Sequence, residues 1–356
     1  MTMSKSYLQG NHNRNSNHIP DPNVGLLWDV VARPLKVLMI LFGLYHERTT
    51  RGNDHESSVK DKMLCYILKM YHTVIVLFLW YNFLRAVVSF WLTKTTGLLY
   101  DNVAICVWGF LVAANDTIFL KICHKGDIVR LIENQSTICF NFPKNGRLTK
   151  NHINPSWLKF RTFALAGAAV GFCAICVCVV PMLFFIYGTK ESSFSYKLLC
   201  LPWHTDVACG FSSAYAVYGT ASWILPMVFI AFICRILNGQ LAQLTHDFTD
   251  TFGHGKNSEA KLLESFRRKF NLLCRSVELA DAILSPLYAT SYCANISIAI
   301  FLLYQIWNRF SDAELFYVLI NLFWVVGNLI NIGLISYYAV TVHEKVNFNF
   351  SYFYCS

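Results

Sequence analysis

Residues Val207 to Leu237 read VACGFSSAYAVYGTASWILPMVFIAFICRIL, with Arg235 as the one charged residue. A hydrocarbon core about 30 Å thick is crossed by about 20 apolar residues in a helix, so this stretch is long enough to span it. The run is continuous rather than alternating, unlike the strands of a closed barrel. A helix is then the way to satisfy its backbone in lipid.

Five more runs of spanning length flank it: Leu64 to Leu92, Leu98 to Ile122, Phe163 to Tyr187, Ala282 to Trp307 and Glu314 to Val342. A shorter run, Leu35 to Leu44, follows Arg33-Pro34 and reads as an interfacial or re-entrant piece. The first 23 residues are polar and lack the apolar core of a signal peptide. The expected fold is an all-α polytopic membrane protein with six transmembrane helices. Residues 1–62 form its N-terminal segment, 63–342 the bundle and 343–356 a short tail.

Composition agrees. Of 356 residues, 55% are hydrophobic and 14% charged, against about 25% charged in a soluble domain. Mean hydropathy is +0.39. These values exclude most cytosolic enzymes, disordered hubs and small secreted scaffolds. The net charge of +9 suits either nucleic acid or cytoplasmic loops. Because the basic residues lie between apolar runs, the loops are the better reading, and no nucleic-acid partner is expected. Lys and Arg number 23 on the side that holds residues 1–62, 121–161 and 235–275, against 4 in the opposite loops. The imbalance puts the N-terminus and the tail in the cytoplasm.

No nucleophile–base signature, P-loop or dinucleotide fingerprint is present, so no enzyme is expected. His72, His124, His204, His246 and His343 are dispersed. The Cys and His residues lack zinc spacing, and neither metal nor cofactor is expected. Cys173 and Cys176 lie inside an apolar run and read as small apolar residues. Cys200 and Cys209, in or near one outer loop, are candidates for a disulfide.

The connection after Leu237 is the most organised polar part. Gln240, Asp247 and Asp250 continue one helix beyond the membrane, and Phe252-Gly253-His254-Gly255 interrupts it. Leu262, Leu263, Phe266, Phe270, Leu273 and Val277 then recur at helical spacing. Residues 237–281 thus read as helices that either lie on their neighbours or contact another subunit.

Charges inside spans are costly and often functional. Arg85 and Asp101 are candidates for a pair on the outer side, Lys69 and Asp116 for one on the inner side. Snorkelling by Lys69 and Arg85 is the alternative. Asn82, Asn115, Asn321, Asn328 and Asn331 read as interhelical hydrogen-bonding residues.

The outer halves of the helices are aromatic. A headgroup belt fits Trp91, Tyr100 and Trp307, and fits the deeper Tyr218, Trp223 and Trp324 less well. The other reading is a small-molecule pocket, apolar with a few placed polar groups. Its candidate residues are Trp80, Trp108, Tyr215, Tyr218, Trp223, Tyr304 and Trp324. Tyr215, Tyr218 and Ser222 share one helical face.

Over roughly residues 30 to 345 the chain resembles the insect gustatory and odorant receptor superfamily, including its gustatory-like relatives in nematodes. The likeness rests on the Arg33-Pro34-Leu35 start, the Phe42-Gly43-Leu44 end of the short run and the long extended fourth helix. It rests also on Val277, Asp281 and Ser285 at the entry to the fifth span, and on Ala339 to Glu344. The resemblance implies a plasma-membrane chemosensory receptor of sensory neurons, a subunit of a ligand-gated cation channel. It further implies tetrameric assembly through the cytoplasmic helices and a ligand pocket in the outer half of each bundle. A light-sensing role and a non-conducting regulatory subunit are the alternatives; a G-protein-coupled receptor or a transporter fits the orientation and the repeat pattern less well. Members of the superfamily continue into a seventh helix with a Thr-Tyr…Gln-Phe signature. No such signature follows Val342 here, so that helix is expected to be missing.

Overall fold

The computed structural model describes residues 33–45, 59–92, 99–128, 131, 155–176, 206–252, 260–309 and 315–355. Among these, seven α-helices occur in the order α1 (Arg33–Leu41), α2 (Val59–Leu92), α3 (Leu99–Lys125), α4 (Pro155–Ala174), α5 (Asp206–Phe252), α6 (Ala260–Arg309) and α7 (Leu315–Cys355). Five of them contain stretches long and apolar enough to cross a membrane: Lys62–Val88, Val103–Lys125, Ala214–Phe252, Leu263–Asn308 and Asn321–Phe348. In α4 the apolar stretch Thr162–Ala174 is shorter. The expected third span runs on past Cys176, outside the described residues. α7 does not stop with its apolar run at Val342 but stays helical to Cys355.

The short run after Arg33-Pro34 forms α1, with proline in the first turn, where its missing N–H costs nothing. Leu35 and Met39 face inward and are fully buried. The helix ends in a Schellman motif. Leu44 N–H donates to the Met39 carbonyl at 2.7 Å and Gly43 N–H to Ile40 at 3.0 Å. Gly43 sits at φ 72°, the left-handed region open to glycine. A Cβ there would also collide with Ile75 of α2. Tyr71 donates to the Leu41 carbonyl at 2.6 Å and Cys123 to that of Leu44 at 3.7 Å, so α2 and α3 hold the turn after α1.

α5 is the hub, packing against α2, α3, α4, α6 and α7. Its most apolar window is 89% buried, whereas that of α2 is 22% buried. The outer surface of α2 is a stripe of exposed Met70, Val74, Leu77, Tyr81, Leu84 and Val88 at helical spacing. A stripe of this length belongs against lipid. α7 carries a similar one through Leu319, Leu322, Val326, Leu329 and Ile330.

α5 has 47 residues and α6 has 50, so each is roughly 70 Å long at about 1.5 Å per residue. Each is therefore over twice as long as a bilayer core of about 30 Å is thick. In the last part of α5 and the first part of α6, Leu241, Leu244, Phe248, Phe266, Phe270 and Leu273 form a second buried cluster. The amphipathic pattern read after Gly255 thus buries its apolar face on the extension of α5. Val346 of α7 joins the cluster, and Lys345 donates to the Asn238 carbonyl at 3.4 Å.

Candidate functional site

The candidate aromatics separate into groups. In the first, Tyr215 of α5 meets Trp108 of α3 edge to face at 5.5 Å and Phe78 of α2 at 6.4 Å. Two glycines make this approach feasible. The Tyr215 hydroxyl lies 2.8 Å from where a Cβ on Gly109 would stand, and Trp108 Cη2 lies 2.6 Å from one on Gly219. Each helix thus presents its aromatic to the other's glycine. Tyr215 Oη and Trp108 Nε1 are both buried and have no hydrogen-bond partner among the described residues. Buried polar atoms are rarely left this way.

Tyr218, one turn further along, turns toward α1 and α2. Its hydroxyl pairs with that of Tyr71 at 3.1 Å, and its ring meets Phe42 at 6.2 Å. In the second group, Trp223 contacts Trp324 at 5.8 Å and Phe172 at 6.0 Å. Its Nε1 donates to Asn295 Oδ1 at 3.0 Å. Trp80 belongs to neither group. It packs with Phe83 and Phe110 and donates to Thr117 Oγ1. Tyr304 is 43% exposed on α6. The structure thus brings together Trp108 with Tyr215, and Trp223 with Trp324, but not all seven.

A set of polar contacts links α2, α3, α5 and α6. Pro226 stands inside α5, and its missing N–H removes the donor for the carbonyl four residues earlier, that of Ser222. Asn115 Nδ2 of α3 donates to that carbonyl at 3.3 Å, and Asn115 Oδ1 accepts from Thr290 of α6 at 3.1 Å. Ser222 Oγ donates to Asp116 Oδ1 at 3.4 Å. His72 Nε2 of α2 lies 3.4 Å from the Asp116 carbonyl oxygen. Asp116 is fully buried, and its Oδ2 has no hydrogen-bond partner among the described residues.

No ion pair joins Lys69 to Asp116 among the described residues; Ser222 takes that carboxylate instead. The side chain of Asp101 and the Cys200–Cys209 pair lie outside the described side chains. Asn82 and Asn328, read as interhelical, donate to carbonyls of their own helices. Sequence reasoning missed Gly109, Gly219 and Pro226, whose roles depend on what faces them; a proline inside the longest run was the available signal. Among the described residues, no three of His, Cys, Asp or Glu converge as a metal-binding group.

The sequence model of the 7tm chemosensory receptor family matches residues 32–347. The fold is similar to the structure of the insect olfactory receptor OR5 from Machilis hrabei, with a TM-score of 0.60 and 11% sequence identity. That likeness covers 91% of this chain and 82% of the other, and at such identity it concerns the fold alone. Comparison with curated proteins finds no match.

Proposed function

The chain belongs to the 7tm chemosensory receptor family, and on that footing we propose that it is a gustatory-type receptor acting as a subunit of a ligand-gated cation channel. Its ligand is a small, largely apolar molecule held at Trp108 and Tyr215. One observation carries this reading: two buried polar atoms, Tyr215 Oη and Trp108 Nε1, have no hydrogen-bond partner among the described residues and lie inside one aromatic cluster. A ligand oxygen would satisfy them, and the surrounding rings would cover its apolar body. The excess of Lys and Arg in 1–62, 121–161 and 235–275 supports a cytoplasmic N-terminus in the plasma membrane, with this cluster toward the outer side. The charged extensions of α5 and α6 are the parts suited to meet other subunits.

The test is calcium imaging of cells expressing the full chain, alone and with other members of the family, against a panel of small organic compounds. Tyr215→Phe removes the hydroxyl and keeps the ring. The concentration of an active compound for half-maximal response is expected to rise about tenfold, equivalent to ~1.4 kcal/mol, with surface expression unchanged. An unchanged dose response would remove Tyr215 from the site. The contact of Trp223 with Trp324 favours the light-sensing alternative. A response to ultraviolet light without added compound, lost in Trp223→Phe, would put that alternative first.

A further inference from the structure

We propose that Asp116 and Ser222 form a binding site for a small monovalent cation, of the size of sodium, one turn before Pro226 of α5. The argument starts from oxygen atoms. Pro226 frees the Ser222 carbonyl from its helical hydrogen bond. The same residue's hydroxyl points at Asp116, and Asp116 brings two carboxylate oxygens, one of them with no hydrogen-bond partner among the described residues. A hydroxyl and a carboxylate, with a main-chain carbonyl that has lost its helical donor and takes Asn115 instead, are oxygen ligands of the kind hard cations take. Carbonyls at helix interruptions bind alkali ions in membrane transporters for the same reason.

Distances agree. Hydrogen bonds of the side chains to their own helices here are short, as for Thr117 to Ala113 at 2.7 Å and Asn295 to Ser291 at 2.8 Å. The contact at the proposed site is long: 3.4 Å for Ser222 Oγ to Asp116 Oδ1. An O–H···O bond is normally 2.5–3.0 Å. Two oxygens that each lie about 2.4 Å from one ion, at a right angle, stand roughly 3.4 Å apart.

Charge decides the valence. A carboxylate in mid-bundle is costly without a counter-charge, and no ion pair with Lys or Arg reaches Asp116 among the described residues. One carboxylate balances one positive charge; a divalent ion would leave an excess charge in the bundle. His72 Nε2 of α2 lies 3.4 Å from the main-chain carbonyl oxygen of Asp116. The site joins α3 to α5 and is independent of the ligand reading at Tyr215.

The experiment uses the purified full chain in detergent, melted in sodium, potassium or N-methylglucamine chloride at equal ionic strength and pH. The expected result is a saturable upward shift of the midpoint in sodium, absent in N-methylglucamine. Asp116→Asn keeps an acceptor for Ser222 but not the charge, and is expected to abolish the shift. Ser222→Ala should raise the sodium concentration for half the shift by about tenfold. If a variant does not fold, binding of radioactive sodium to the wild-type chain, displaced by unlabelled sodium and not by N-methylglucamine, provides the readout. Equal midpoints in all three salts without displaceable binding, or an undiminished shift in Asp116→Asn, would overturn the site. So would stabilisation by acid alone, which would make it a proton site.

Discussion

The cluster around Ser222 and the cluster around Phe270 lie on the same two long helices and are held together by different forces. Near Ser222 the helices are surrounded by other helices and, on the outer faces of α2 and α7, by surfaces suited to lipid. Lipid tails are as apolar as leucine, so burying apolar groups there gains little, and close fit and hydrogen bonds hold the helices together. The residues match that demand: glycines under aromatic rings, and Asn115 filling the vacancy that Pro226 creates. Near Phe270, on the reading that these long helices extend past the core, the surroundings are water. There Phe248 packs edge to face on Phe266, with Phe270 buried in the same cluster, and the hydrophobic effect acts at full strength. One helix can thus be stabilised by shape over half its length and by solvent exclusion over the rest.

The contrast can be broken from either end. Phe270→Ala should have the largest effect, a loss of about 3–5 kcal/mol, read as a lower melting midpoint of the detergent-purified chain. Gly219→Ala comes next. Its Cβ would press on Trp108, which is already backed by Tyr215, and overpacking of that kind costs about 1–3 kcal/mol; the companion Trp108→Leu should restore part of the midpoint. Asn115→Ala leaves the Ser222 carbonyl without its donor and should cost ~1 kcal/mol. Smallest is Val74→Ala on the exposed stripe of α2, expected within about 0.5 kcal/mol. If Val74→Ala were as damaging as Phe270→Ala in the same scan, the division between fit and solvent exclusion would be wrong.

Much of the fold was legible because lipid restricts what a chain can do. An apolar run as long as Val207 to Leu237 has few alternatives to a helix, and α5 occupies it. The recurrence of Phe266, Phe270 and Leu273 at helical spacing foretold α6 and its buried face, since in water that face must be covered. The family resemblance read from Arg33 to Leu44 and from the later motifs agrees with the family match over residues 32–347. What stayed hidden depends on two helices at once. Trp108 and Tyr215 could be read as aromatic, but not that each faces a glycine on the other helix. Asp116 was read as a partner for Lys69 because both lie toward the inner side, yet Ser222, on the facing helix, reaches the carboxylate. Depth along a helix can be counted from sequence. Rotation about its axis, which decides who faces whom, is set by packing.

Pro226, inside α5, has a mechanical consequence. From Pro226 to Phe252 the helix runs roughly 39 Å at about 1.5 Å per residue, so a change of about 5° in its direction there would carry the far tip by roughly 3 Å. Phe248 and Phe252 ride near that tip against Phe266. A small change of angle beside the buried carboxylate would thus appear at the far end of α5 as a displacement comparable to the width of a side chain.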